Sequence, residues 1–421
     1  MRASPRWLNA AFLIGGTLVI VAGRRNGTPA ARIAAADRDS AVVAVGKKIF
    51  FDSTISASGR MSCGTCHSPA HAYGPPNNSA VGLGGPEMTL QGARAVPSLR
   101  YVLNRTPAWY KEYVSNPMER IREGSEPPAG GFGWDGRFNT LHDQAAFPLL
   151  AANEMANGSA AAVVAKLQRA TYAEEFRQAF GARIFDEPSA AFAQALHAIE
   201  RFELADPSFH PYDSKFDLYL DGRAVLTARE TRGLALFNDP RRGNCASCHR
   251  SERGADGSHP LFTDYQFGAL GVPRNPEISA NRDPAFFDEG LCGPVRKDQG
   301  ARVEYCGLFK TPTLRNVATR GAFFHNGRFH SLKDALVFYV RRDTDASRWY
   351  PRDENGVIDK FNDLPPALRG NVDVITLPLT RRSGEQPVWS NAEIGDVIAF
   401  LETLNDGFTV DEPDRARPVK R

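Results

Sequence analysis

The sequence predicts a mainly α-helical chain built as two similar domains, with few and short strands. Three observations predict it. The string C-x-x-C-H occurs twice, as Cys63-Gly64-Thr65-Cys66-His67 and Cys245-Ala246-Ser247-Cys248-His249. Each occurrence follows a matching lead-in, Gly46-Lys47-Lys48-Ile49-Phe50-Phe51-Asp52 and Gly233-Leu234-Ala235-Leu236-Phe237-Asn238-Asp239, which share G-x-x-[IL]-F-x-D. Apolar residues also recur at three- to four-residue spacing over 163–180, 191–204 and 332–340, the period of a helix with one buried face. The 421 residues suffice for two or three cored domains. With 42% hydrophobic and 24% charged residues, the chain is neither disordered nor a multi-span membrane protein. A formal charge of +3 offers no bulk attraction for nucleic acid.

From the N-terminus, Arg2 and Arg6 precede an uncharged run over 7–23 whose apolar part has the length of a signal-peptide core and is short for a spanning helix. Ala22 and Gly23 suit cleavage, while Arg24 and Arg25 suit a single uncleaved membrane anchor; cleavage is the favoured reading. Residues 1–35 are therefore read as signal peptide or N-terminal anchor plus linker, and the folded part is expected in the periplasm. Residues 36–208 form the first domain and 209–421 the second, joined near the turn-forming stretch 206–211. Capping boxes at Thr227/Glu230 and Ser390/Glu393 mark the starts of the second lead-in helix and of a C-terminal helix, which has the option of packing back on the first domain.

Two thiols spaced C-x-x-C can add to the two vinyl groups of one haem, and the adjacent histidine can ligate its iron. Two such strings by chance are on the order of one in a million. Zinc would need further ligands near each pair, and a redox C-x-x-C does not require the histidine. The fold class is accordingly two cytochrome c-like haem domains carrying two covalent haem c groups, through Cys63, Cys66 and His67 and through Cys245, Cys248 and His249. Cys292 and Cys306 lie in a Gly/Pro/Asp-rich stretch with no adjacent histidine. A disulfide is the plain reading in an oxidising compartment, worth roughly 3 kcal/mol; free thiols or a metal site are the alternatives.

Two blocks carry a resemblance. Trp134-Asp135-Gly136-Arg137, Leu141-His142-Asp143-Gln144-Ala145, Pro148 and Asn153-Glu154-Met155 resemble the segment after the first haem in bacterial di-haem cytochrome c peroxidases and MauG-like enzymes. Phe309-Lys310-Thr311-Pro312-Thr313-Leu314-Arg315-Asn316-Val317 and Phe324-His325-Asn326-Gly327 resemble their segment after the second haem. The similarity runs over about 46–404. It implies that Trp134 couples the haems and that Glu154, Gln144 and Pro148 line the distal pocket of the first. A carboxyl there can move a proton between the peroxide oxygens.

Four departures refine the resemblance. The family's distal methionine for the second haem falls at Tyr339, similar to the tyrosine-ligated MauG-like branch; a phenolate is a hard ligand that stabilises oxidised iron. The family's distal histidine for the first haem falls at Leu83, with His71 too close to His67 and Met88 the remaining candidate, so that haem is expected to be open without prior reduction. Family members bind Ca²⁺ through an asparagine and two backbone carbonyls; the carbonyls map to Arg320 and Ala322, but the asparagine position is Ala95. The stretch 106–131 is longer than its counterpart and reads as a surface loop, with partner docking a further expectation.

The resemblance implies an exported di-haem peroxidase that reduces hydrogen peroxide and stores oxidising equivalents over both haems, with a small cytochrome c or cupredoxin as donor. The alternatives are a MauG-type enzyme oxidising side chains of a partner protein and a non-catalytic di-haem electron carrier. Enzymes that modify a partner carry a tryptophan two residues before the second haem string; here that position is Gly243, leaving Trp109, Trp349 and Trp389 as relays.

Overall fold

In a computed structural model, residues 29–101, 103–109 and 128–410 are described. Of the expected N-terminal segment 1–35, residues 1–28 with the signal peptide or anchor lie outside them, as does the middle of the 106–131 stretch, while 29–35, read as linker, are the start of the helix Pro29–Phe51. No helix among the described residues is long and apolar enough to cross a membrane.

The lead-in motif is explained by helix crossing. Helix α1 (Pro29–Phe51) ends in the first lead-in and packs along α5 (Pro188–Ala205). At Gly46 the backbones nearly touch, since a Cβ there would lie 1.8 Å from the Ala198 carbonyl oxygen. Four residues on, Phe50 is buried edge-on against Phe202 at 5.4 Å. The second half repeats this arrangement. Helix α7 (Ala228–Asn238) crosses α9 (Asn391–Glu402) at Gly233, where a Cβ would lie 2.0 Å from the Asp396 carbonyl oxygen, and Phe237 meets Phe400 at 5.2 Å. Each buried phenylalanine is worth about 1.5–3 kcal/mol of transfer free energy, and the glycine is what lets the pair approach.

Around α1 and α5 the first core adds α2 (Leu141–Leu150), α3 (Ala160–Leu167) and α4 (Ala173–Phe180). The single helical pattern over 163–180 is thus two helices. The chain turns between them, and Tyr172 in that turn donates its hydroxyl to Asp52 Oδ2 at 2.7 Å. The second core gathers α6 (Lys215–Leu220), α7, α8 (Leu332–Arg341) and α9. Both predicted capping boxes form, at Thr227/Glu230 and Ser390/Glu393. Among the described residues the regular strands are two antiparallel pairs of two residues each: β1 (Leu83–Gly84) with β2 (Leu90–Gln91), and β3 (Phe267–Gly268) with β4 (Phe309–Lys310).

Three expectations are corrected. The C-terminal helix α9 packs on α7 and α8 of its own half, because Gly233 and Phe400 match there. What reaches back is Asp406 beyond it, which accepts from Arg100 at 2.7 Å, from the Tyr101 hydroxyl and from Asn316 at 2.6 Å. The stretch 206–211 is packed rather than a free linker, with Phe209 buried and stacked 3.9 Å from Tyr73. The described ends of 106–131 are buried: Trp109 joins the second core under the Arg296 guanidinium, and Ala129 bridges Gln266. Cys292 and Cys306 form a disulfide with Cα atoms 5.0 Å apart.

Candidate functional site

A cavity of about 720 Å³ runs through the join of the halves, lined at one end by Cys66 and His67 and at the other by Cys245, Cys248 and His249. Both histidines are prepared in the same way. His67 Nδ1 bonds the Tyr73 carbonyl at 3.0 Å, and His249 Nδ1 bonds the Phe262 carbonyl at 2.9 Å. With the proton fixed on Nδ1, Nε2 keeps its lone pair, the tautomer a metal ligand needs. Burial lowers both imidazole pKa values, His67 to about 4, so the rings are neutral near pH 7.

The accepting carbonyls are held by a second repeat. Ser98 Oγ donates to the Ala72 carbonyl at 2.5 Å and Thr313 Oγ1 to the Leu261 carbonyl at 2.6 Å, in each case the residue before the acceptor. These hydroxyls belong to Pro97-Ser98-Leu99-Arg100 and Pro312-Thr313-Leu314-Arg315, a P-[ST]-L-R pair whose repetition was the signal for them. A third repeat pairs Trp134-Asp135-Gly136-Arg137-Phe138 with His325-Asn326-Gly327-Arg328-Phe329. It closes matching bridges, Phe132 to Phe138 and Phe323 to Phe329, and leads into α2 and α8 through the N-caps Thr140 and Ser331.

The cysteine chemistry fits haem attachment. Cys63, Cys66, Cys245 and Cys248 are unpaired, and burial pushes their thiols up, Cys66 to about 11 and Cys245 to about 12. A redox-active C-x-x-C thiol is shifted the other way. Among the described residues no cluster of three or more His, Cys, Asp or Glu could hold a metal ion, so a zinc reading finds no further ligands.

Glu154, Gln144 and Leu83 line the cavity together with Cys66 and His67. The Glu154 backbone is fixed by the β1–β2 hairpin: Gly85 N–H donates to its carbonyl at 2.8 Å, and Asn153 Nδ2 donates to the Gln91 carbonyl at 3.0 Å. Gly84 lies against this segment so closely that a Cβ would come 2.5 Å from the Asn153 carbonyl oxygen. Burial raises the Glu154 pKa, opposed by the Arg137 charge. His71 is exposed and bonds Ser68, while the Met88 sulfur faces the Ser58 hydroxyl at 3.5 Å; neither lines the cavity.

Pro148 also stays out of the cavity lining, inside α2, where it has no N–H for the Gln144 carbonyl. Aligned through the third repeat, Pro148 occupies the register of Tyr339 on α8. Tyr339 does line the cavity, its ring 5.5 Å from that of Phe324 and its phenol pushed up by burial.

Trp134 lines the cavity and is tied to both halves. Its indole Nε1 donates to the Ala95 carbonyl at 2.7 Å, while its carbonyl accepts from Lys310 N–H at 2.8 Å. Its repeat partner His325 accepts from Ala95 N–H at 2.7 Å through its carbonyl. The His325 ring stacks 3.5 Å from Phe309, and its unbonded Nε2 is 3.5 Å from Asp363 Oδ2. Beneath Trp134, Asp135 is fully buried between Arg94 at 2.8 Å and Arg137 at 2.9 Å. At Gly243 a Cβ would lie 2.0 Å from Trp389 Cζ2, so the Trp389 ring fills the space a side chain at 243 would need.

Residues 40–225 match the family model described as di-haem cytochrome c peroxidase. The chain is 31% identical over 377 residues to the methylamine utilization protein MauG of Paracoccus denitrificans, covering 87% of this chain and 89% of that one. It is 29% identical to the cytochrome c551 peroxidase of Pseudomonas aeruginosa, over 70% of this chain and 71% of that one. Among solved structures it is similar to the diheme peroxidase BthA from Burkholderia thailandensis, with a TM-score of 0.76, 37% identity and 90% of each chain covered. The haem attachment strings, the helical fold and these matches agree: the chain is an oxidoreductase of the MauG-like di-haem cytochrome c peroxidase family.

Proposed function

We propose that the chain is an exported peroxidase that reduces hydrogen peroxide at the His67 end of the cavity and holds oxidising equivalents over both ends. The observation that carries this reading is the inequality of two otherwise repeated sites. One end has Tyr339 in its lining with Cys245, Cys248 and His249. The other has a proline in that register and a half-buried carboxyl, Glu154, in the cavity wall.

Haem attached through the two cysteine pairs would supply peroxide cleavage and electron storage. His67 would hold one iron, and His249 with Tyr339 the other. The residues of the chain supply geometry and protons. Glu154 as carboxylate takes the proton from one peroxide oxygen and returns it to the other, which leaves as water. Burial raises its pKa, the direction that favours holding the proton between the two transfers. The Gln144 amide can orient the peroxide, Phe147 and Leu83 limit water, and Trp134 offers an indole between the two ends.

A small donor cytochrome c or cupredoxin is the partner this reading requires. Oxidation of a partner's side chains is the second reading: Trp109 and Trp389 are buried and Trp389 excludes a tryptophan at 243, which leaves the half-buried Trp349 as its relay. The test is a combined electron paramagnetic resonance and optical titration of the fully oxidised holoprotein with hydrogen peroxide, no reductant added. One high-spin and one low-spin haem, with the high-spin signal consumed by peroxide, is the expected result. Two low-spin haems inert until one electron is added would overturn the open-site reading. If they stayed inert after reduction, the chain would be an electron carrier.

A further inference from the structure

Arg320 is a half-buried guanidinium at the join of the halves, and among the described residues no carboxylate pairs with it. Its Nη2 donates to the Val96 carbonyl of the first half at 2.9 Å, and its Nε to the Ala322 carbonyl at 3.3 Å. Nη1 reaches the turn after His67, where it lies 3.6 Å from the position of a Cβ on Gly74. The side chain lines the cavity beside His67 and Pro97, and its charge acts on the His67 ring. Desolvation in this setting lowers its pKa to about 10.

This is the place where the family resemblance implies Ca²⁺, and the residues present do not fit that ion. Calcium takes six to eight oxygen ligands. Position 95 is a buried alanine, whose carbonyl is already taken by the Trp134 indole and whose N–H is taken by His325. The Ala322 carbonyl accepts from the Arg320 guanidinium itself. A divalent ion would have to displace that bond and sit beside a like charge in a poorly screened setting, where close charges interact strongly.

We infer that Arg320 is a built-in replacement for the inter-domain calcium ion: the positive charge at the join of the halves is supplied by a side chain, and the protein works without Ca²⁺. Arg320 is a positioning and charge-setting residue. It ties the second half to the Val96-Pro97 strip behind His67 and biases the redox centre at His67 toward its reduced form. The inference rests on haem attachment at Cys63 and Cys66 but not on peroxide turnover, so a failed peroxidase reading would leave its test interpretable.

The experiment uses the purified holoprotein with both haems. Elemental analysis after desalting should find calcium far below one per chain. A calcium-selective chelator, and then millimolar calcium, should leave the electron paramagnetic resonance spectrum unchanged. In spectroelectrochemistry, Arg320→Gln should lower the midpoint potential of the His67 haem, because loss of a nearby positive charge favours the oxidised form, while Arg320→Lys should keep it near wild type. One calcium per chain that survives desalting, or a chelator-induced change of spin state, would overturn the inference. An unmoved potential in Arg320→Gln would also overturn it. Should Arg320→Gln fail to load haem, the metal analysis and Arg320→Lys still decide.

Discussion

Glu154→Gln removes one ionisable oxygen from the cavity wall while keeping the side chain's shape. If Glu154 carries the proton between the peroxide oxygens, its loss should cost the contribution of a positioned acid–base group, about 10²–10⁴-fold. At about 1.4 kcal/mol per tenfold, this is about 3–5.5 kcal/mol of barrier. The assay is stopped-flow mixing of the oxidised holoprotein with hydrogen peroxide under single-turnover conditions, following loss of the high-spin signal. The acid limb should identify the group. Burial holds the Glu154 pKa above the usual carboxylate range, so the wild-type rate should fall as pH drops through that raised value, and in Glu154→Gln the limb should vanish.

A second variant separates placement from chemistry. Gly84→Ala would put a methyl 2.5 Å from the Asn153 carbonyl oxygen and 2.8 Å from Glu154 Cα, which forces the segment back by about 1 Å. A displacement of that size can cost on the order of 10²-fold. Because the carboxyl is still present, the acid limb should survive at the lower rate. A Glu154→Gln rate within threefold of wild type, with the acid limb intact, would refute the assignment of Glu154 as the proton carrier.

Three further outcomes are expected. Tyr339→Phe should shift the optical and electron paramagnetic resonance signature of the His249 haem and shorten the life of the peroxide-oxidised protein at least tenfold; an unchanged spectrum would remove Tyr339 as ligand. Arg315 makes two bonds to Asp217, at 2.9 and 2.7 Å, in a fully buried pair, so Arg315→Met should cost about 3–5 kcal/mol in denaturant unfolding, with Asp217→Leu added in the same chain recovering much of it. The Asp217 carboxyl pKa is held below its ordinary 3.8 by Arg315, against the opposing effect of burial. Its contribution to stability is therefore fully present above about pH 4 and lost as pH falls through the folded value; Asp217→Asn should flatten the acid side of the stability profile.

The two halves were legible in the sequence because the physics of each motif is local. Two thiols and a histidine within five residues announce an attachment site without any tertiary information, and Gly46 and Gly233 stand where a helix must touch another backbone. The caps at Thr227 and Ser390 could be read for the same reason. What escaped depended on partners far along the chain. Phe209 reads as a linker residue until Tyr73 is brought to its face. Trp109 belongs by sequence to the first half and by packing to the second. Gly243 reads as a missing tryptophan, when its lack of a side chain is what admits the Trp389 ring. Arg320 was visible only for its carbonyl, whereas its side chain donates to the Ala322 carbonyl, one of the two assigned to the metal.

The exchange of bonds between the repeats gives Trp134 its position independently of any relative. Ala95 and Lys310 stand in the same register, two residues before Pro97 and Pro312. Each sends its N–H to the opposite half, Ala95 to the His325 carbonyl at 2.7 Å and Lys310 to the Trp134 carbonyl at 2.8 Å. The preceding pair, Arg94 and Phe309, meet face to face, with the guanidinium 5.2 Å from the ring. Residues in equivalent positions touch when they lie near the axis that relates their halves, so the join passes through this strip. Trp134 and His325 are therefore at the boundary by construction, one from each half, and they differ in chemistry. Trp134 is an oxidisable indole with its N–H anchored on Ala95; His325 is stacked on Phe309 beside Asp363. Under the proposed function, a duplicated frame that places one redox-active ring on its own axis would give charge a route between two unlike sites. On this argument Trp134→Phe should leave both resting haem spectra in place and slow only the sharing of oxidising equivalents between them.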